Sequence, residues 1–536
     1  MFTFFHGYLP KLWDAQVKAG LVREQDGLRF CQCIMQKDEQ KFNALAAKGG
    51  ELYNIIAEQK RPFYIDRLQG GVFIDEYPYD KELLAEYKSL LGDKFWGFQM
   101  HEWMSNYYHD AFHKLGNLPE EQWTKEGIEK FVKENFPYKY SILESMTAEE
   151  MANAGKPKTV EEFYGNMTAI YKKRLSVGEL IPCDSVYLAY GFELSTGATK
   201  LMPEVGAQCT DMRLQVSYAR GMTRKEGRSF GIYYEPWGGN PFSVCCYNKE
   251  NKNEWGIGDS ADFPFQSQGA DGGSSRSLQK RVFLYGYLSN ASFMSEEWGL
   301  ANVFNSWEEF GLSPYGITKK EFIDFVNKYD DIGEKLTPIA AVLPKDLMVL
   351  DNVYSDDIYC GFKTDSKKIA NLKQGLRAIF TTSLPMSGTE VITLKNSDVP
   401  DAIDALNYDE EMLEKYDYLV DLTSDTELSE KYNNVCRIED LKEILREKLP
   451  CYVEGNAHWM VNKCTSGGYY LTIFNHSGIC RSVAGGETKL AEAATTVSLD
   501  AKVVPVMLEG DGEMVEKAGK YFVNIPAGGF AFIRLR

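Results

Sequence analysis

Two glutamates stand where carboxylate chemistry can be done. Glu102 falls near the end of the apolar run FWGFQMHEW (95 to 103) and Glu235 near the end of SFGIYYEPW (229 to 237), and a strand-like core gives neither carboxylate a structural purpose. Hydrolysis of a glycosidic bond needs two such groups on opposite sides of the bond, because one protonates the leaving oxygen while the other attacks or activates water. A lone glutamate at a strand end is more often a salt-bridging residue; two of them, at the ends of two strands, point to a pair that works together. A third candidate comes from ASFMSEEW (291 to 298), where Glu296 and Glu297 are adjacent and strand alternation turns only one of them inward. Glu297 is the alternative to Glu235, or else the carboxylate that positions an arginine or a sugar hydroxyl.

Residues beside these acids suit a sugar. The rings of Trp103, Tyr234, Trp237 and Trp298 are placed to stack on a pyranose face, and His101 can donate a hydrogen bond to a hydroxyl. Asp66 and Arg67 end a third run, and His6 and Tyr8 end the first; these bind the sugar or pair with one another. His109 and His113 have the i, i+4 spacing of a metal pair, but HDAFH lacks the glutamate of the HExxH motif. Eleven cysteines make no paired CxxC set and read as reduced, mostly buried thiols. No metal and no cofactor is expected.

The elements that must carry these residues alternate. From residue 1 to about 335, eight short apolar or aromatic runs are separated by amphipathic stretches: 2 to 8, 28 to 35, 62 to 68, 95 to 103, 185 to 191, 204 to 210, 229 to 237 and 291 to 298. Eight such units close a (β/α)₈ TIM barrel, whose active site lies at the carboxyl ends of its strands. Glu102 and Glu235 then end strands four and seven. Residues 104 to 182, read as extra helices, and 238 to 276, read as a long loop, follow those same two strands and would build the substrate site. Residues 336 to 455 read as a small flavodoxin-like α/β domain completed by PCYVEG (450 to 455), and residues 456 to 536 as a C-terminal β-sandwich.

Composition narrows the function class. A formal net charge of -18 with no dense Lys/Arg stripe disfavours nucleic acid. No apolar run of bilayer length is present, and the N-terminus runs straight into FTFF with no export signal, so a cytoplasmic protein is expected; an exported chain trimmed of its signal peptide fits the same residues. Aromatics at 13% of the chain fit a carbohydrate partner, although most of them must be core. Self-association into a homo-oligomer is left open. Two other classes compete: a non-catalytic carbohydrate-binding barrel, and a metal-dependent barrel hydrolase, which six histidines serve poorly.

Glutamates ending strands four and seven of an eightfold barrel, with a tryptophan ending strand eight, resemble the clan A retaining glycoside hydrolases. The order barrel, α/β domain, β-sandwich is similar to the glycoside hydrolase family 42 β-galactosidases. The resemblance implies a β-galactosidase-like exo-enzyme with Glu102 as acid/base and Glu235, or alternatively Glu297, as nucleophile. One position departs from the clan pattern: His101 stands where an asparagine usually precedes the acid/base. A retaining mechanism would hold the two carboxyl groups about 5 to 5.5 Å apart.

Overall fold

The structure is a computed structural model that describes residues 2–31, 45–66, 81–101, 115–135, 148–159, 179–184, 190–206, 211–235, 269–270, 275–297, 303–304, 309–345, 358–359, 362–363, 365–382, 393–425, 427–482 and 486–536, with a few positions between 160 and 178. Eight strands close a barrel in chain order: β1 (Thr3–Gly7), β2 (Gly27–Cys31), β3 (Phe63–Asp66), β4 (Phe95–His101), β5 (Leu180–Asp184), β6 (Lys200–Gly206), β7 (Ser229–Glu235) and β8 (Phe293–Glu296). All neighbours pair in parallel, and β8 closes the ring against β1, with Thr3 opposite Phe293.

Alternation along each strand divides its side chains between two cores. Phe5, Tyr64, Ile181, Cys183, Met202, Tyr233 and Phe293 pack together and fill the barrel interior. The residues between them face outward. Leu28, Phe30, Phe63 and Ile65 meet Leu52 and Ile56 of helix Glu51–Gln59 and Leu84 and Tyr87 of helix Lys81–Leu91, while Phe4, Ile232, Tyr234 and Met294 meet helices Arg276–Leu288 and Pro314–Lys328. Strand β4 is irregular: Phe63 pairs with Phe95 but Ile65 with Phe98, so one extra residue is inserted. Gly97 takes the bulge at φ +79°, where a Cβ would lie 2.1 Å from the Glu179 carbonyl oxygen.

Two of the eight expected runs are misplaced. The fifth strand is Leu180–Asp184, not 185 to 191; residues 185–189 lie outside the described residues, and Tyr190–Ser195 is helical. The sixth is Lys200–Gly206, overlapping the expected 204 to 210 only at its end. Both true strands contain a proline, Pro182 and Pro203, which locally argues against a strand. Closure of the barrel overrides that; Phe95–His101 is still the fourth strand, and Glu235 still ends the seventh.

A four-stranded parallel sheet follows, built from Ile339–Leu343, Ile403–Asn407, Tyr418–Asp421 and Val435–Cys436 in the order 2-1-3-4, the order of a flavodoxin-like sheet. Cys451–Glu454, expected to complete it, instead pairs antiparallel with Thr495–Ala501 in a four-stranded sheet. A five-stranded antiparallel sheet contains His458–Lys463, Tyr469–Phe474 and Phe530–Leu535. Among the described residues, no helix is long and apolar enough to cross a membrane.

Candidate active site

The carboxyl ends of β2, β3, β7 and β8 bring polar side chains over the apolar barrel interior. Arg29 lies between the outward Leu28 and Phe30, so it turns inward, and Asp66, two residues past the inward Tyr64, does the same. The two form an ion pair at 3.0 Å with both side chains buried. Arg29 Nη1 also donates to the Tyr233 hydroxyl at 2.8 Å, its guanidinium 5.5 Å from the centre of that ring, and the hydroxyl in turn donates to Asp66 Oδ2 at 3.4 Å. A buried cation, a carboxylate and a phenol thus pair with one another across three strands, which offsets the cost of burying the two charges.

Glu235 ends β7 two residues beyond Tyr233, on the same inward face and about 7 Å farther toward the mouth. Its side chain is buried, with 2% exposure. The room it occupies is made by Gly206, its register partner on β6: a Cβ there would lie 2.7 Å from Glu235 Oε1 and 1.8 Å from the Glu235 carbonyl oxygen. Only a glycine lets the end of β6 pass so close to this carboxylate.

The adjacent glutamates at the end of β8 separate as alternation demands. Glu296 follows the outward Met294 by two and is bound on the helix side, its Oε2 2.6 Å from Nζ of the buried Lys319 on helix Pro314–Lys328. Lys319 also sits 4.3 Å from the centre of the Phe4 ring. Glu297 therefore takes the opposite side, toward the barrel mouth, and its backbone N–H donates to the Tyr234 carbonyl at 2.7 Å. It too is buried.

Several expected contacts are corrected. Tyr234 faces the helices and packs edge-on against Phe283 at 5.2 Å, which takes its ring away from the mouth. His6 likewise faces outward: its Nε2 is 3.2 Å from Asp26 Oδ2, and Asp26 also holds Arg23 at 2.6 Å and the Phe4 N–H at 3.0 Å. Burial, and then the charge of Lys319, lowers the His6 pKa to about 4. Tyr8 packs with Trp13 and Leu28 in the outer core. Asp66 pairs with Arg29, whereas Arg67 lies outside the described residues, as do Glu102, Trp103, His109, His113, Trp237 and Trp298. His101 is the last residue of β4. Among the described residues, no group of three or more His, Cys, Asp or Glu is placed to hold a metal ion.

Arg29, Tyr233 and Gly206 are the residues that sequence reasoning missed. For Arg29 a signal existed, since LRF sets an arginine between two apolar residues of a strand and so on its opposite face. Gly206 gave none, because its role depends on what β7 places beside it.

No family model matches the chain, and no curated protein matches it. Among solved structures, a polyextremophilic β-galactosidase from the Antarctic haloarchaeon Halorubrum lacusprofundi aligns over 99% of this chain and 99% of its own, with a TM-score of 0.44 and 9% identity. An alpha-amylase from H. orenii aligns over 100% and 99%, with a TM-score of 0.33 and 9% identity.

Proposed function

We propose that the protein is a glycoside hydrolase acting by retaining double displacement, with Glu235 as nucleophile and Glu102 as acid/base. The observation that carries this reading is the placement of Glu235: a buried, inward-facing carboxylate at the carboxyl end of the seventh strand of a closed parallel barrel, accommodated by a glycine on the neighbouring strand. In the first step Glu235 attacks the anomeric carbon while Glu102 protonates the departing oxygen. In the second, Glu102 takes a proton from water, and that water releases the sugar from Glu235.

Purified protein assayed against a panel of aryl glycosides tests the activity and identifies the sugar. Glu235→Gly should lower turnover about 10³-fold or more, and azide or formate should restore part of it by taking the nucleophile's place. Glu102→Ala should impair substrates with poor leaving groups far more than activated aryl glycosides. Near-normal activity in Glu235→Gly together with loss in Glu297→Gly would move the nucleophile to β8. Glu297 merits that comparison because it is a buried carboxylate just past the end of β8, level with Glu235 by its backbone bond to Tyr234.

A further inference from the structure

The segment that leads into the second strand of the parallel sheet reaches back to the barrel at the site itself. Thr393 Oγ1 donates to the carbonyl oxygen of Gly206, the last residue of β6, and the Thr393 carbonyl accepts from the N–H of Met212, the first residue of the next barrel helix, at 3.0 Å. One residue thus braces both ends of the β6 loop. Its own segment is anchored at several points: Leu394 is buried in the main core, Asn396 bonds Asn475 and the His476 N–H, and Arg213 donates to the Val399 and Pro400 carbonyls at 2.8 Å each.

We propose that Thr393 is a positioning residue for Glu235, acting through Gly206. Gly206 is the backbone against which the Glu235 carboxylate lies, close enough that a single added methyl would collide with it. A shift of the Gly206 peptide therefore changes the space that Glu235 occupies, and the hydroxyl of Thr393 is what holds that peptide from outside the barrel. A covalent step tolerates little displacement of its nucleophile, and about 1 Å can cost a hundredfold in rate. The inference rests on Glu235 being the nucleophile.

The test measures kcat, KM and Tm for Thr393→Val and Thr393→Ser on the best aryl glycoside of the panel. Valine keeps the shape and removes the donor, so kcat should fall about 10- to 100-fold with KM within about threefold, whereas serine keeps the donor and should stay near wild type. Because Thr393 acts through Glu235, the losses in Thr393→Val and Glu235→Asp should combine to much less than their product. Wild-type kcat in a folded Thr393→Val protein, an equal loss in Thr393→Ser, or fully multiplicative losses would overturn the inference. Thr393→Ala is read in the same way if valine does not fold, and failure of both to fold would make the residue a structural one and overturn it as well. Full activity in Glu235→Gly would instead remove the reading on which the inference rests.

Discussion

At the scale of single residues, the site depends on what is missing as much as on what is present. Glu235 has its place because Gly206 has no side chain: a Cβ there, whose position the backbone fixes, would lie 1.8 Å from the Glu235 carbonyl oxygen and 2.7 Å from its Oε1. Gly206→Ala should therefore lower kcat about 100-fold or more while a sugar still binds, because a displaced nucleophile loses reactivity before the pocket loses its shape. An alanine variant with wild-type kcat would show that the β6 end yields freely. The ion pair beneath has a different role. Arg29 and Asp66 are both buried, so Asp66→Asn leaves a cation with too little compensation and should cost about 3 to 5 kcal/mol of stability, as broken buried pairs do. Urea unfolding measures this, and a loss under 1 kcal/mol would place water at the pair.

At the scale of elements, strand alternation decides which of two neighbouring glutamates reaches the mouth, and an ion pair fastens the choice. Lys319 holds Glu296 to helix Pro314–Lys328, so the end of β8 cannot rotate to exchange Glu296 for Glu297. Lys319→Met should destabilise the protein by about 3 to 5 kcal/mol, and the double variant Lys319→Met/Glu296→Leu should recover most of that. Thermal and urea unfolding read both, and additive losses in the double variant would contradict the pairing. The same alternation sets how much was legible beforehand. The closed barrel and six of its eight strands, with Glu235 at the end of the seventh, follow from short apolar runs separated by amphipathic stretches, because a strand buried on both faces is apolar along its length. Positions within strands were less legible where proline stood: Pro182 and Pro203 disguised β5 and β6, and the β-branched and aromatic SVYLAYG took the place of the plainer LIPCD. The inward or outward sense of Tyr234 and His6 was readable only with the strand register in hand. The fastening of β6 by Thr393, 187 residues away, left no local trace.

At the scale of the whole molecule, the barrel and the two regions that follow it are joined by a chain of neutral histidines. Arg281 Nε, on helix Arg276–Leu288, donates to His476 Nδ1 at 3.1 Å; His476 Nε2 lies 2.8 Å from His458 Nδ1, and His458 Nε2 lies 2.9 Å from Asp401 Oδ2. The arginine can only donate and the carboxylate only accept, so each ring must accept at Nδ1 and donate at Nε2. That arrangement is complete with both rings neutral, and an added proton would turn one acceptor into a second donor facing a donor. The pKa directions agree: burial, followed by neighbouring histidine and arginine charges, puts His476 well below its ordinary value, and burial lowers His458 to about 4 against the pull of Asp401. His6, at the start of the barrel, is lowered to about 4 as well. In each case the folded value lies beneath the unfolded one of 6.5, so the unfolded chain binds more protons as pH falls; the stability present above about pH 6.5 is lost on the way down, to about 4 for His6 and His458, with His476 lowered in the same direction. Asp26 and Asp401 are held below the ordinary carboxylate range, so their ion pairs add to this loss only at lower pH. Three such groups give a limiting slope of roughly 4 kcal/mol per pH unit. Urea unfolding followed between pH 7.5 and 4.5 should show stability falling with acid and an uptake of about three protons on unfolding. A flat profile between pH 7 and 5 would mean that water or a moving side chain reaches these rings, and that the junction is looser than its hydrogen bonds describe.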